Sequence, residues 1–88
     1  MALLDLLGRR WSMRVIWELR DGPMTFRDLQ ERCGGISSSV LAQRLAELRE
    51  AGIAGEANVL TREGRRLLEA YEPLGAWARR WARRAGAC

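Results

Sequence analysis

The sequence predicts a mainly α-helical domain carrying one small antiparallel β-hairpin, and three stretches carry that prediction. Residues 37–52 read as one complete helix. A serine run supplies short oxygens able to accept from the unpaired first-turn N–H groups, and Leu41, Leu45 and Leu48 fall on one face. Gly52 stands where a helix stops in a left-handed residue. Immediately before it, Gly34-Gly35-Ile36 is a three-residue connection with the length of a tight helix–helix turn. Immediately after it the spacing changes: Ile53-Ala54 and Val59-Leu60 are short apolar pairs separated by Gly55-Glu56-Ala57-Asn58, a miniature hairpin. The 88 residues make one domain, 48% apolar and so expected to fold. A domain of this size buries a modest core, which makes self-association a source of added stability.

Taken in order, residues 2–8 form a short apolar helix with Leu3, Leu4, Leu6 and Leu7, broken by Gly8-Arg9-Arg10. Leucine nearly all round demands a cover, either the domain itself or another subunit. Ser12 is expected to cap a second helix running to about Arg20, with Val15, Ile16 and Leu19 inward. Trp11 and Trp17 belong to the core, to an interface or to the wall of a small-molecule pocket. Asp21-Gly22-Pro23 is a turn, and Met24 is placed in a very short strand. Thr25 then caps a third helix with Asp28 three residues on, a variant capping box. Phe26, Leu29 and Cys33 face inward, and Ile36 plugs the angle to the helix that follows. After the hairpin, Thr61 caps a helix to about Tyr71. Glu72-Pro73 is expected to interrupt it, with Pro73 in the first turn of a last helix. There Leu74, Trp77, Ala78, Trp81 and Ala85 make an apolar stripe, and Arg79, Arg80, Arg83 and Arg84 are placed on the other side. Helix-turn-helix followed by a hairpin is the winged helix-turn-helix arrangement, with Met24 expected to add the third strand of its sheet.

Composition excludes several function classes. The two cysteines, Cys33 and Cys88, and the absence of histidine leave no metal site, no usual general base and no cofactor to assign. Cys33 reads as a small buried filler rather than a sensor. The acids are scattered on amphipathic helices, where they solvate the surface, so the chain is not expected to be an enzyme. No segment reads as a leader or a bilayer span, and the expected location is cytoplasmic. All fifteen cationic side chains are arginine, planar forks suited to phosphate and guanine. The net charge of +4 lies wholly in the last helix, since the first 72 residues balance. Charge alone therefore does not single out residues 25–51 as a nucleic-acid binder.

In detail the chain resembles bacterial transcriptional regulators of the HxlR type, within the broader MarR-like winged-helix group. The match runs through Leu7-Gly8-Arg9-Arg10-Trp11-Ser12, Val15-Ile16-Trp17-Glu18-Leu19 and Asp21-Gly22-Pro23-Met24-Thr25-Phe26-Arg27-Asp28-Leu29. It continues in Gly35-Ile36-Ser37, Leu41-Ala42-Gln43-Arg44-Leu45-Ala46-Glu47-Leu48, Glu50-Ala51-Gly52-Ile53, Leu60-Thr61-Arg62-Glu63-Gly64-Arg65 and Leu74-Gly75-Ala76-Trp77. The resemblance implies a homodimer on pseudo-palindromic operator DNA, joined through its first and last helices. Residues 1–11 and 73–88 would then be dimerisation helices, 25–51 the helix-turn-helix and 53–60 the wing. Leu3, Leu4, Leu7, Leu74, Trp77 and Trp81 would form the interface, which agrees with their reading as faces a small domain cannot cover alone. There are departures. Family members commonly carry a cysteine near the N-terminus, and the hairpin here is short, lacks arginine and bears Glu56.

The residues expected on DNA are Thr25, Arg27, Ser37, Ser38, Ser39, Gln43 and Arg44. The N-terminus of the helix near Ser38 presents free N–H groups and a positive dipole end suited to phosphate. Ser38 and Ser39 add hydroxyls, Gln43 can pair with adenine, and Arg44 can pair with guanine or a phosphate. Arg27 and Thr25, at the start of the preceding helix, are placed to touch backbone. The competing reading makes Gln43 a solvated residue and Arg44–Glu47 an i, i+3 ion pair. The expected function is a sequence-specific DNA-binding regulator with room for a small-molecule effector. The alternative is a winged-helix protein-interaction or dimerisation module without sequence-specific DNA binding.

Overall fold

The computed structural model describes residues 2–84, with side chains described from Leu4 onward; Leu3, Ala85 and Cys88, named above, lie outside those described side chains. Among the described residues the chain forms five α-helices in the order α1 (Ala2–Leu7), α2 (Ser12–Glu18), α3 (Phe26–Cys33), α4 (Ser38–Glu50) and α5 (Arg62–Arg84). The core gathers Val15, Ile16 and Leu19 from the second helical segment, Leu29 and Cys33 from α3, Ile36 from the turn, and Leu41, Leu45 and Leu48 from α4. Ile53, Ala54 and Leu60 close it from below. Full burial of each leucine stabilises the fold by roughly 1.5–3 kcal/mol.

The two helices of the helix-turn-helix begin and end where their sequence places them. The Thr25 hydroxyl accepts from the Asp28 N–H at 3.0 Å, and the Ser37 hydroxyl accepts from the Val40 N–H at 3.2 Å. Each satisfies a first-turn donor that would otherwise lack a partner. Between them the Gln30 side-chain amide donates to the Ile36 carbonyl at 3.2 Å, and Ile36 is buried. The end of α4 is a Schellman stop: the Ile53 N–H donates to the Leu48 carbonyl at 2.9 Å and the Gly52 N–H to the Arg49 carbonyl at 3.0 Å. That geometry requires a left-handed residue, and Gly52 has φ 76°.

Four expectations are corrected by the fold. Ser12 is the first residue of α2 rather than its cap; it is buried, and its hydroxyl has no partner among the described residues. The cap position belongs to Trp11, a non-glycine residue at φ 79° whose carbonyl accepts from the Val15 N–H at 2.9 Å. Trp11 packs against the core, and that packing, not side-chain capping, fixes where α2 starts. Second, Met24 forms no strand, and the hairpin contracts to one antiparallel bridge, Ala54 to Leu60, around a tight turn in which Ala57 and Asn58 are left-handed, at φ 59° and 53°. In place of a sheet, the Asn58 amide donates to the Met24 carbonyl at 3.2 Å and accepts from Arg49 at 2.7 Å. The segment before α3, the end of α4 and the hairpin loop are thereby tied through one side chain.

Third, the two C-terminal helices are one: α5 runs 23 residues straight through Pro73. A proline inside a helix removes one backbone bond and costs about 3 kcal/mol. Here the cost is offset because Leu67, Leu68, Tyr71 and Gly75 continue one inward stripe across it. Thr61 caps this helix as expected, its hydroxyl accepting from the Gly64 N–H at 3.1 Å. Fourth, the arginines do not keep to the side opposite the tryptophans. Arg80 and Arg84 line a groove together with Trp77 and Trp81, as positions i+3 and i+7 from Trp77 require.

Candidate nucleic-acid interface

The exposed N-terminal half of α4 is the surface with the chemistry for nucleic acid. Ser37 spends its hydroxyl on the cap and lies 3.4 Å from the Ser39 hydroxyl. The Ser38 and Ser39 backbone N–H groups fall in the first turn, ahead of the first intrahelical bond, from the Leu41 N–H to the Ser37 carbonyl at 3.0 Å. Ser38, Ser39 and Gln43 are all exposed. Together they offer two hydroxyls, outward N–H groups at a positive dipole end and one long amide.

The start of α3 adds a second exposed edge. Thr25 and Arg27 are exposed, and the Arg27 side chain is 88% accessible with only a loose 3.8 Å approach to Glu31. A pair so open to water is worth little, so Arg27 is free to exchange it for a phosphate. The Thr25 hydroxyl accepts at the cap and keeps its own proton to donate.

Arg44 occupies a different position. Its Nε donates to the Arg10 carbonyl at 2.9 Å, and its Nη1 to Glu47 Oε1 at 2.8 Å. Glu47 reaches on to Arg9 at 3.5 Å. The Arg44 side chain is 13% exposed. The guanidinium therefore clasps α4 to the turn between α1 and α2, and the Arg44–Glu47 pairing weighed in the sequence is present. The Arg10 carbonyl as a further partner of Arg44 and Arg9 as one of Glu47 leave no local signal in the sequence, the first being a contact across 34 residues.

The residues proposed for dimerisation divide in the same way. Leu4 is 64% exposed, and Leu74, Trp77 and Trp81 are more than half exposed. The two tryptophans stack with centroids 6.2 Å apart and 11° between planes. Leu7, in contrast, packs against the core of its own chain. Cys33 is buried, and burial pushes its thiol above the usual range, opposed by Arg14 and assisted by Glu18. A thiol held protonated in this way is a poor nucleophile. Among the described residues no group of three or more metal-ligating side chains is placed to hold an ion, and no helix is long and apolar enough to cross a membrane.

Residues 6–85 match the family model described as HxlR-like helix-turn-helix. The chain is 36% identical over 87 residues to the HTH-type transcriptional regulator YodB of Bacillus subtilis, covering 88% of this chain and 78% of that protein. The crystal structure of quinone-bound YodB from the same organism superposes with a TM-score of 0.83 at 35% identity, covering 90% of this chain and 93% of that one. A possible HxlR family transcriptional factor from Thermoplasma volcanium superposes at 0.76, with 28% identity and 92% and 82% covered.

Proposed function

Since the chain belongs to the HxlR-like helix-turn-helix family, whose members are transcriptional regulators and not enzymes, we propose that it is a sequence-specific regulator binding a pseudo-palindromic operator as a homodimer. The observation that carries this reading is the exposed, uncompensated N-terminal face of α4, with Ser38, Ser39 and Gln43 outward after a short turn. Ser38 and Ser39 hold phosphate at the helix N-terminus, with Ser37 keeping that end shaped by its cap. Gln43 reads a base edge. Thr25 and Arg27 hold the flanking backbone, a role that positions the protein without reading sequence. Arg44 sets the angle of α4 through its clasp and reaches DNA only by giving up Glu47.

The homodimer joins through α1 and the C-terminal half of α5, with Leu3, Leu4, Leu74, Trp77 and Trp81 at the seam and Leu7 bracing α1 from within. The exposure of Leu4, Leu74, Trp77 and Trp81 supports it, because a single copy leaves that apolar surface in water. The hairpin, reduced to one bridge and carrying Glu56, adds little to phosphate binding. The protein works in the cytoplasm, where operator DNA is found.

Selection of bound duplexes from a random pool, followed by a salt titration on the winner, tests the proposal. A palindrome with half-sites about one turn apart (roughly 10 base pairs), bound with affinity that falls steeply with salt, is the expected result. Equal affinity for the selected and a scrambled duplex at matched salt would overturn it in favour of the interaction module.

A further inference from the structure

Hairpin residues 53–60 carry a single charge, that of Glu56, and no cation. Glu56 forms no ion pair among the described residues. The tip of the hairpin nevertheless meets an arginine. With Ala57 and Asn58 both left-handed, the Asn58 amide turns back to α4. Its oxygen accepts from Arg49 Nη2 at 2.7 Å, and its nitrogen donates to the Met24 carbonyl at 3.2 Å. Asn58 is half-buried and Arg49 is exposed.

Arg49 differs from the arginines around it in charge, in tether and in direction. Arg44 is matched by Glu47 at 2.8 Å, and Arg27 approaches Glu31. Arg49 has no ion pair among the described residues. Its partner is a neutral amide, so the guanidinium is held in place with its charge unmatched. The bond occupies Nη2 and leaves the other donors of the fork without a partner among the described residues. Arg49 follows Ser38 by eleven positions, about three helical turns, so it shares the Ser38 face of α4 about 16 Å further along. The same Asn58 amide holds the carbonyl of Met24, the residue before Thr25. Arg49 and the start of α3 are thereby drawn to one edge of the molecule.

We propose that Arg49 is a DNA-phosphate ligand, presented by Asn58 at the hairpin tip in place of the cation that the hairpin lacks. The assignment rests on the reading of α4 as the DNA-contacting helix. Ser38 and Ser39 meet phosphate at one wall of the major groove, and Arg49 meets it at the opposite wall. The groove is ~12 Å wide, and the ~16 Å between the two backbone positions is enough to cross it. A guanidinium takes a phosphate through two parallel hydrogen bonds, which a lysine matches in charge but not in geometry. Asn58 is a positioning residue. It touches no DNA, and it holds the fork before the duplex arrives, which lowers the ordering cost of the contact. A phosphate contact carries no sequence information, so Arg49 adds affinity to every duplex alike. The competing role is local: a cation in the last turn of α4 complements the helix dipole. That role raises Tm and leaves the salt dependence of DNA binding unmoved.

The test is a salt titration of the full chain on its selected duplex and on a scrambled one, read by fluorescence anisotropy of end-labelled DNA. Arg49→Gln is expected to flatten the slope of log affinity against log salt by about 1 per bound copy, so by about 2 for the proposed homodimer. Both duplexes should weaken by the same factor, on the order of tenfold. Arg49→Lys should keep the slope, because the charge remains. Arg83→Gln removes the same charge from the far part of α5 and should leave the slope at the parent's. Asn58→Gly retains the left-handed backbone and releases the tether. It should weaken both duplexes in the parent, and by a smaller factor in the Arg49→Gln background. A parental slope in Arg49→Gln, or a changed ratio of selected to scrambled affinity, would overturn the assignment and leave the regulator reading standing. Fully additive effects of Arg49→Gln and Asn58→Gly would overturn the role of Asn58. Equal binding of the two duplexes by a parent whose slope still flattens in Arg49→Gln would count against sequence-specific reading alone. A parent that binds no duplex would overturn both.

Discussion

Gly64 is where helix propensity and tertiary packing make opposite predictions, and the substitution Gly64→Ala separates them. On propensity alone, alanine in a helix is favoured over glycine by about 1 kcal/mol. In the fold, a Cβ at Gly64 would drive into the carbonyl oxygen of Ile53 and stand 3.2 Å from both the Ile53 carbonyl carbon and Leu60 Cδ2. Neither neighbour can yield. Ile53 and Leu60 are buried, and the Ile53 N–H is held by Leu48. The Ile53 carbonyl also accepts from the Thr61 N–H at 3.0 Å and the Thr61 hydroxyl at 3.0 Å. Moving the start of α5 away to admit the methyl would stretch both bonds, each worth about 1 kcal/mol net, on top of overpacking at about 1–3 kcal/mol. Set against the propensity gain, the expected loss is about 2–4 kcal/mol. For a domain of this size that lowers Tm by about 8–32 °C. Urea and thermal denaturation followed by circular dichroism, at one fixed protein concentration, measure it. Gly75→Ala is the control, because its Cβ meets the movable Tyr71 ring and Arg79 side chain; it should stay within about 1 kcal/mol of the parent. A Gly64→Ala variant as stable as the parent, or more so, would refute the reasoning.

Other substitutions separate roles in the same spirit. Gln43→Ala should cost about 1–3 kcal/mol of base discrimination with Tm unchanged, whereas Arg44→Ala should lower Tm as well, because it frees the Arg10 turn and leaves Glu47 only the 3.5 Å approach of Arg9. Parallel melting and duplex titrations distinguish the two. The double variant Trp77→Glu and Trp81→Glu should sediment as a monomer with its helix content intact, since both rings are exposed in the single chain. A parent that sediments as a monomer at high concentration would remove the seam from α5. Burial raises the Cys33 thiol, so in the folded chain it stays protonated where an unfolded one ionises. Stability is then full below the ordinary thiol range and falls as pH climbs through and above it. Cys33→Ala should flatten that alkaline decline relative to the parent in urea melts taken across the range.

Local chemistry explains which parts of this fold were legible in the sequence. The helix-turn-helix was readable because its signals are short-range: Thr25 and Ser37 cap the residues three positions on, and Gly52 supplies the one backbone conformation its stop requires. The start of α2 is not legible locally, because Ser12 has a good capping side chain while the deciding factor is the packing of Trp11. Pro73 signals a boundary for the same reason: its local penalty is visible in the sequence, and the inward stripe that outweighs it needs the partner helices. The third strand was lost to a side-chain tie through Asn58, a contact across 34 residues. In the candidate interface, Ser38, Ser39 and Gln43 could be placed by counting along a helix. The engagement of Arg44 with Arg10 could not.

The continuity of α5 makes it a lever. Its 23 residues extend ~35 Å, close to the 39 Å longest dimension of the molecule. Its start is pinned at Ile53 through Thr61 and Gly64 and its inward stripe packs as far as Gly75, so Trp81 stands on a free arm of ~9 Å. A tilt of about 5° at the end of that packed stripe moves the tryptophan pair by ~1 Å. In the proposed dimer, two copies joined at their tryptophans would add their tilts and shift the two α4 helices against a DNA groove only ~12 Å wide. Broken at Pro73 into two helices, the chain would absorb that motion at the joint; unbroken, it passes it on magnified.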